Sequence, residues 1–273
     1  MRRTNPVGWI VSIVALSLLC QPASGIVMTE DPSLHLVDPQ SPFAMVGYLN
    51  TAGGTSGVLI GPNKVLTANH CVSDISSATF SLDTAEGRKT WAVESKSALD
   101  EMDLAVLTLS ESTGLSGAAV YEGNDEAGHL AAMVGYGYSG VGQPDTAQFP
   151  RGTARVGYSM IDYALSRYLI SYFDQPGSSG SQDADEGAAT TGDSGGGIFI
   201  RSDGEWVLAG LHRYVRDGDD DGIFPEFGDQ ARGIRLSQAS SWLADHLTPV
   251  PEPGTMVLLT LGGLVLTVRR RVR

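Results

Sequence analysis

An all-β protein is indicated by three features of this sequence. Short runs rich in Val, Leu and Ile, among them SGVLI, KVLTA, TWAVES, LAVLTL, GIFI and WVLAGL, recur along the chain between Gly, Pro, Asn or Asp residues. That is how short strands and their turns are punctuated. Glycine is abundant at 34 residues, as many tight connections require. An apolar share of 42% over 273 residues is enough to bury a real core and excludes a disordered chain.

The first 25 residues, MRRTNPVGWIVSIVALSLLCQPASG, carry Arg2 and Arg3, an apolar stretch from Val7 to Cys20, and small residues Ala23 and Gly25 at cleavage offsets. A secretory signal peptide is built this way, and its removal makes Ile26 the first residue of the exported chain. Next comes GTSGVLIGPNKVLTANHCV, which reads as strand, Gly-Pro-Asn turn and strand ending at His70. In DEMDLAVLTLS, Asp103 opens an alternating apolar run, a buried strand. The segment DQPGSSGSQDADEGAATTGD, residues 174 to 193, is a flexible-loop composition. It leads into TTGDSGGGIFI, where Ser194 stands between an aspartate and three glycines before a strand. WVLAGL is another strand.

At the far end, VPEPGTMVLLTLGGLVLTVRRRVR places an apolar run, Met256 to Val268, between Pro-Glu-Pro and four arginines. As a helix that run spans roughly 20 Å, short of the ~30 Å hydrocarbon core, so snorkelling arginines or local thinning would have to help it cross. The sequence thus divides into 1–25, 26–248 and 249–273. Without its two ends the chain keeps 12 basic against 30 acidic residues, a net charge of −18. Such a surface repels nucleic acid and anionic lipid. Cys20 leaves with the signal peptide, so Cys71 stands alone and no intramolecular disulfide can form.

Asp103, His70 and Ser194 make a set with a chemistry. A serine hydroxyl is a weak nucleophile unless a base takes its proton. The base in turn needs a carboxylate to fix its tautomer, and the developing oxyanion needs backbone donors. The blocks LTANHC, DLAVL and GDSGGG, in the order His, Asp, Ser, resemble those of the trypsin/chymotrypsin-like serine proteases. The likeness extends to WVLAGLHRY, similar to the strand lining that family's cleft, and to SQASSWLADHL, similar to its last helix.

The resemblance implies two antiparallel six-stranded barrels with a C-terminal helix. It implies Ser194 as nucleophile, His70 as base and then acid, Asp103 as the orienting group, and Gly192 and Ser194 as the amides of the oxyanion hole. It further implies that Asp193 receives a freed α-amino group, here that of Ile26. In the specificity pocket, Ala188 stands where trypsin-like members carry an acid, the nearest acids being Asp185 and Glu186. Arg213, Tyr214 and Val215 stand where the family has Ser, Trp and Gly, a replacement that narrows the pocket. The usual partner of the cysteine after the histidine falls near Thr55, so that disulfide is absent.

The C-terminal segment resembles the PEP-CTERM sorting signal, which implies export, an inner-membrane anchor at the apolar run, and processing by an exosortase. Protein or peptide substrates are the expected partners, and no organic cofactor is required. The acidic stretch RDGDDDGIFPEFGD reproduces the first half of a calcium loop with Asp217, Asp219 and Asp221. Position twelve is Gly228 where a bidentate Glu is needed, so a solvated loop is the favoured reading and calcium the alternative. His35, His129, His212 and His246 have no catalytic context. A surface-binding protein on a protease-like scaffold is the rival to the enzyme reading.

Overall fold

The computed structural model describes residues 25–51, 53–143, 145 and 149–247. The first half runs through β1 (Val27–Met28), β2 (Val46–Asn50), β3 (Thr55–Gly61), β4 (Lys64–Ala68), β5 (Thr79–Thr84), β6 (Gly87–Leu99) and β7 (Leu104–Leu109). The second half adds β8 (Leu130–Gly135), β9 (Arg155–Met160), β10 (Tyr163–Ala164), β11 (Tyr168–Tyr172), β12 (Gly187–Ala188), β13 (Gly197–Ser202), β14 (Glu205–Arg216) and β15 (Gln230–Arg235). Helix α1 (Ser240–Leu247) ends the described chain.

Strands β2 to β7 close into a barrel in the order β2-β3-β4-β7-β6-β5, the expected six. Pro62 and Asn63 join β3 to β4, and the hairpin sets Val58 opposite Leu66 and Leu59 opposite Val65, all buried. The register of β4 on β7 ends with Ala68 opposite Leu104. The residue before β7, Asp103, is therefore carried beside the residues that follow β4, Asn69 and His70.

The second half is a seven-stranded sheet, order β10-β11-β15-β14-β13-β8-β9, one strand more than expected. The two-residue β10 adds an edge outside β11. Curling brings β9 towards β11, where the Ser159 hydroxyl donates to the Tyr172 carbonyl at 3.0 Å. Strands β13 and β14 turn over Asp203-Gly204, both at positive φ (52° and 88°), the geometry a two-residue hairpin loop demands. Strands β1 and β12 form a separate ribbon, Val27 opposite Ala188.

One apolar core runs through both halves, joining Val58, Leu66, Phe80 and Leu107 to Phe199, Leu208, Leu211 and Leu243. Across the seam the Ser56 amide donates to the Ser194 carbonyl at 3.0 Å. The Ser56 hydroxyl donates to the Gly192 carbonyl at 3.1 Å and accepts from the Tyr136 amide at 3.0 Å. The barrel thereby grips the serine loop of the other half. Within that half, buried Glu126 holds Arg235 through bonds of 2.6 and 3.0 Å, fixing the end of β15.

The closing helix is shorter than its sequence block, because Leu236–Ala239 tightens into a 3-10 turn before Ser240. No helix among the described residues is long and apolar enough to cross a membrane. The membrane segment at 256–268 and the signal peptide up to residue 24 lie outside the described residues.

Candidate active site

His70 sits in a short 3-10 turn, Asn69–Cys71, that follows β4. Asp103 precedes β7 in the left-handed region, φ 56° and ψ 37°, a conformation that Asp tolerates better than most residues. The twist is secured on both sides. The Asn69 amide donates to the Asp103 carbonyl at 2.8 Å, and the Asn69 side-chain amide donates to Asp100 at 2.8 Å. The carboxylate then meets His70 twice: the His70 amide donates to Oδ1 at 3.0 Å and Nδ1 to Oδ2 at 2.9 Å. That second bond leaves Nε2 facing away from Asp103, as a base acting on a serine requires.

Ser194 arrives from the other half. The register of β13 on β14 ends with Gly197 opposite Leu211, and the Gly195 amide donates to the His212 carbonyl at 2.8 Å. Ser194 is thus set beside Arg213, whose carbonyl accepts its hydroxyl at 3.2 Å. No hydrogen bond joins that hydroxyl to His70 among the described residues. The two side chains share the wall of one open cleft of about 500 Å³ with Cys71, Arg151 and Gly192.

The glycines beside the serine have physical reasons. Gly192 lies at φ 98°, and a side chain there would run into Arg151 and the Gly137 backbone. Gly195 lies at φ 81°, against the Thr67 hydroxyl and the Ser56 carbonyl. Among the described residues the amides of Gly192 and Ser194 donate to no acceptor. Two free backbone donors flank the serine, the pair an oxyanion needs.

Asp193, between them, is fully buried. It accepts the amides of Gly137 at 2.7 Å, Thr190 at 2.8 Å and Ile26 at 3.3 Å. Burial pushes its carboxyl up to about 7 in spite of those three amides. Burial also pushes the Asp103 carboxyl up, but the bonds from His70 and Arg213 more than reverse this and leave it below its ordinary value. The Asp103 carboxylate, followed by the Cys71 thiol, raises the His70 imidazole well above 6.5. Among the described residues Cys71 is buried and free.

A second pocket of about 230 Å³ adjoins Ser194, walled by Ala189 to Gly192, His212 to Val215 and Phe224. Tyr214 and Val215 lie on this wall as the sequence suggests. Ala188 does not; it is buried in the ribbon opposite Val27, and Ala189 takes the wall instead. Arg213 contributes to the wall, but its guanidinium turns to Asp103, with Nε donating to Oδ2 at 2.7 Å. Neither nearby acid enters. Glu186 is buried and accepts the Gln182 amide at 2.7 Å, and Asp185 lies 4.0 Å from His35. The His212 side chain on this wall is buried, and burial lowers its imidazole to about 3, so it is neutral.

Asp217, Asp219 and Asp221 bring carboxylate oxygens within 4.8 Å of one another on an exposed loop. Both Asp217 oxygens already accept loop amides, from Asp220 at 2.7 Å and Gly222 at 2.8 Å. Sequence reasoning missed Arg151, Tyr168, Phe224 and Ser56. An arginine inside a cleft strand was a visible oddity at 213. Nothing in the sequence marks Arg151 or Tyr168, which come from distant loops and strands.

The family model for trypsin matches residues 37–234, and the PEP-CTERM protein-sorting motif matches residues 249–271. No curated protein matches. Among solved structures the chain is similar to neuropsin, a serine protease expressed in the limbic system of mouse brain, at 16% identity and a TM-score of 0.60, over 78% of this chain and 98% of that one. At that identity the likeness is one of fold, chymotrypsin-like and mostly β. The C-terminal motif implies export and sorting to the cell envelope. With the trypsin match spanning well over half of its length, the chain belongs to the trypsin family.

Proposed function

We propose that the protein is an exported serine endopeptidase in which Ser194, His70 and Asp103 carry out acyl transfer. The observation that carries the reading is the doubly bonded His70–Asp103 pair facing Ser194 across one cleft, with the free Gly192 and Ser194 amides beside it. The hydroxyl must leave the Arg213 carbonyl for the imidazole, a rotation between staggered wells of one torsion. His70 Nε2 then takes its proton as Oγ attacks the scissile carbonyl. The two amides hold the oxyanion, and His70 returns the proton to the leaving amine. Water, deprotonated by the same imidazole, releases the acyl group.

Residues 26–248 form the protease unit in this reading, preceded by a signal peptide and followed by a membrane tether that an exosortase processes. Signal cleavage after Gly25 delivers Ile26 as the partner of Asp193. A fluorophosphonate probe followed by intact mass tests the nucleophile: one adduct on the exported protein, absent in Ser194→Ala, is expected. The rival reading, a binding protein on a protease scaffold, draws on the Ser194 hydroxyl resting on Arg213 rather than His70. A folded protein with a verified Ile26 terminus that takes no adduct would establish that rival.

Substrate choice follows from the second pocket. No carboxylate lines it among the described residues, and the nearest charge is the Arg213 cation. A lysine or arginine side chain would enter unpaired, whereas a small aliphatic one fits beside Val215. Peptides with Ala or Val before the scissile bond are expected to exceed those with Arg by about 10²-fold in kcat/KM; a library cleaved mainly after Arg or Lys would refute this.

Calcium has no part in the proposed chemistry, and the Asp217, Asp219 and Asp221 carboxylates are read as solvated and self-capped. Melting in millimolar calcium is expected to match melting in EDTA. A calcium-dependent rise in Tm would reassign the loop as a metal site.

A further inference from the structure

Arg213 makes a contact that the acyl-transfer scheme does not use. Its Nε donates to Asp103 Oδ2 at 2.7 Å, the same oxygen that accepts His70 Nδ1 at 2.9 Å. Nη1 donates to the Tyr168 hydroxyl at 3.1 Å, and the guanidinium lies over the rings of Tyr168 and Tyr214 at 5.5 and 5.1 Å. These three supports give the long side chain one geometry, so the ion pair does not carry the usual entropy loss of a free surface arginine. The backbone of the same residue accepts the Ser194 hydroxyl. Arg213 thus touches two members of the proposed triad, one with its side chain and one with its carbonyl.

We propose that Arg213 is a positioning residue that keeps Asp103 ionised and divides the charge of its Oδ2 between two donors, so that an Arg-Asp-His chain rather than an Asp-His pair sets when His70 becomes a base. This rests on the protease reading for its catalytic meaning, though the electrostatics do not depend on turnover. A carboxylate facing one imidazole stabilises the imidazolium, and a guanidinium on the same oxygen offsets part of that stabilisation. It also disfavours a second positive charge nearby. The arginine therefore brings the base into action at a lower pH than the carboxylate alone would permit.

The other charged and titratable groups around the pair are few. Asp100 is tied to Asn69, and Glu101 adjoins it in the 3-10 turn before Asp103. Lys96 donates to the Asn69 side chain at 3.1 Å and the Val72 carbonyl at 2.9 Å from β6. Cys71 follows His70 in its own turn. Tyr168 and Tyr214 hold Arg213, and Arg232 on β15 donates to the Tyr214 hydroxyl at 3.2 Å. Only Arg213 among these cations bonds to Asp103.

The test is an NMR titration of His70 in the complete exported protein and in Arg213→Gln, beside the pH profile of kcat/KM. Five histidines make assignment by His70→Gln direct. The His70 midpoint is expected to rise by about one pH unit in Arg213→Gln, with the acid limb of kcat/KM moving alike. Below that limb the activity falls about tenfold, while the high-pH plateau changes far less. Arg213→Lys should restore part of the shift. Tyr168→Phe removes only a hydroxyl that anchors the guanidinium and should move the midpoint upward by less, which keeps the test open if Arg213→Gln does not fold.

An unmoved midpoint in either folded variant overturns the proposal. So does a rise in KM with an unmoved limb, which would make Arg213 only a pocket wall. A parent protein that takes no fluorophosphonate, while its His70 midpoint still rises in Arg213→Gln, defeats the protease reading and leaves the Arg213 assignment standing.

Discussion

Replacing Ser194 by alanine is expected to lower kcat by about 10⁶-fold, with KM and Tm close to those of the parent. The size follows from the acyl-enzyme route: without Oγ there is no bond to form, and His70 and Asp103 are left with no hydroxyl to activate. The side chain is partly buried and its hydroxyl donates to the Arg213 carbonyl at 3.2 Å. The loop around it is held by the Ser56 and Gly195 backbone bonds, so its loss should not disturb the fold. Residual rate over water is expected from the Gly192 and Ser194 amides, which the substitution leaves in place. Steady-state kinetics with active-site titration checks this. An unchanged kcat in Ser194→Ala would mean that another group performs the reaction and would remove the serine mechanism.

His70→Ala should lose nearly as much, because nucleophile and base act as a unit and their losses do not add. The pH profile carries a separate signature. His70 stands above its ordinary 6.5 because of Asp103 and then Cys71, and only the neutral imidazole accepts the serine proton. Activity therefore rises as pH passes that elevated value, and the acid limb lies above 6.5.

Much of this site was legible before any coordinates. The three blocks around His70, Asp103 and Ser194 are local in sequence, and each ends a strand or begins one, so the local pattern also marks where the fold sets each residue. The barrel strands were visible for the same reason, as in the buried pair Val58 and Leu66. What escaped depends on register and on side-chain direction. The shift from Ala188 to Ala189 on the pocket wall follows from the Val27–Ala188 pairing, which no local pattern specifies. Arg213 was placed in the specificity pocket because its strand lines it. Its guanidinium reaches Asp103 only because residues 168 and 214 hold it there. The extra strand β10 is two residues long, too short to announce itself by alternation.

Keeping even a few residues ahead of Ile26 is expected to lower kcat by about 10² to 10³-fold, the scale of losing an oxyanion donor. Asp193 is the reason. It is fully buried, and burial pushes its carboxyl up to about 7 from 3.8. In the unprocessed chain Ile26 offers it only an amide, at 3.3 Å. A buried carboxylate raised in the folded state is a net cost once ionised, so the unprocessed chain loses stability as pH climbs from 3.8 through 7. After cleavage the same nitrogen becomes an ammonium facing Oδ2. The pair lowers the Asp193 carboxyl and raises the amine, and its stabilisation is present at neutral pH and lost as pH rises through the raised amine value. Asp193 lies between Gly192 and Ser194 in the chain, so what its carboxylate pairs with bears directly on the loop that carries both amides. Mass spectrometry of the exported protein should give Ile26 as its first residue, and the processed form should lose activity at alkaline pH while Asp193→Asn stays low throughout. An exported, fully active protein beginning at any other residue would separate Asp193 from activation and reduce it to a structural acid.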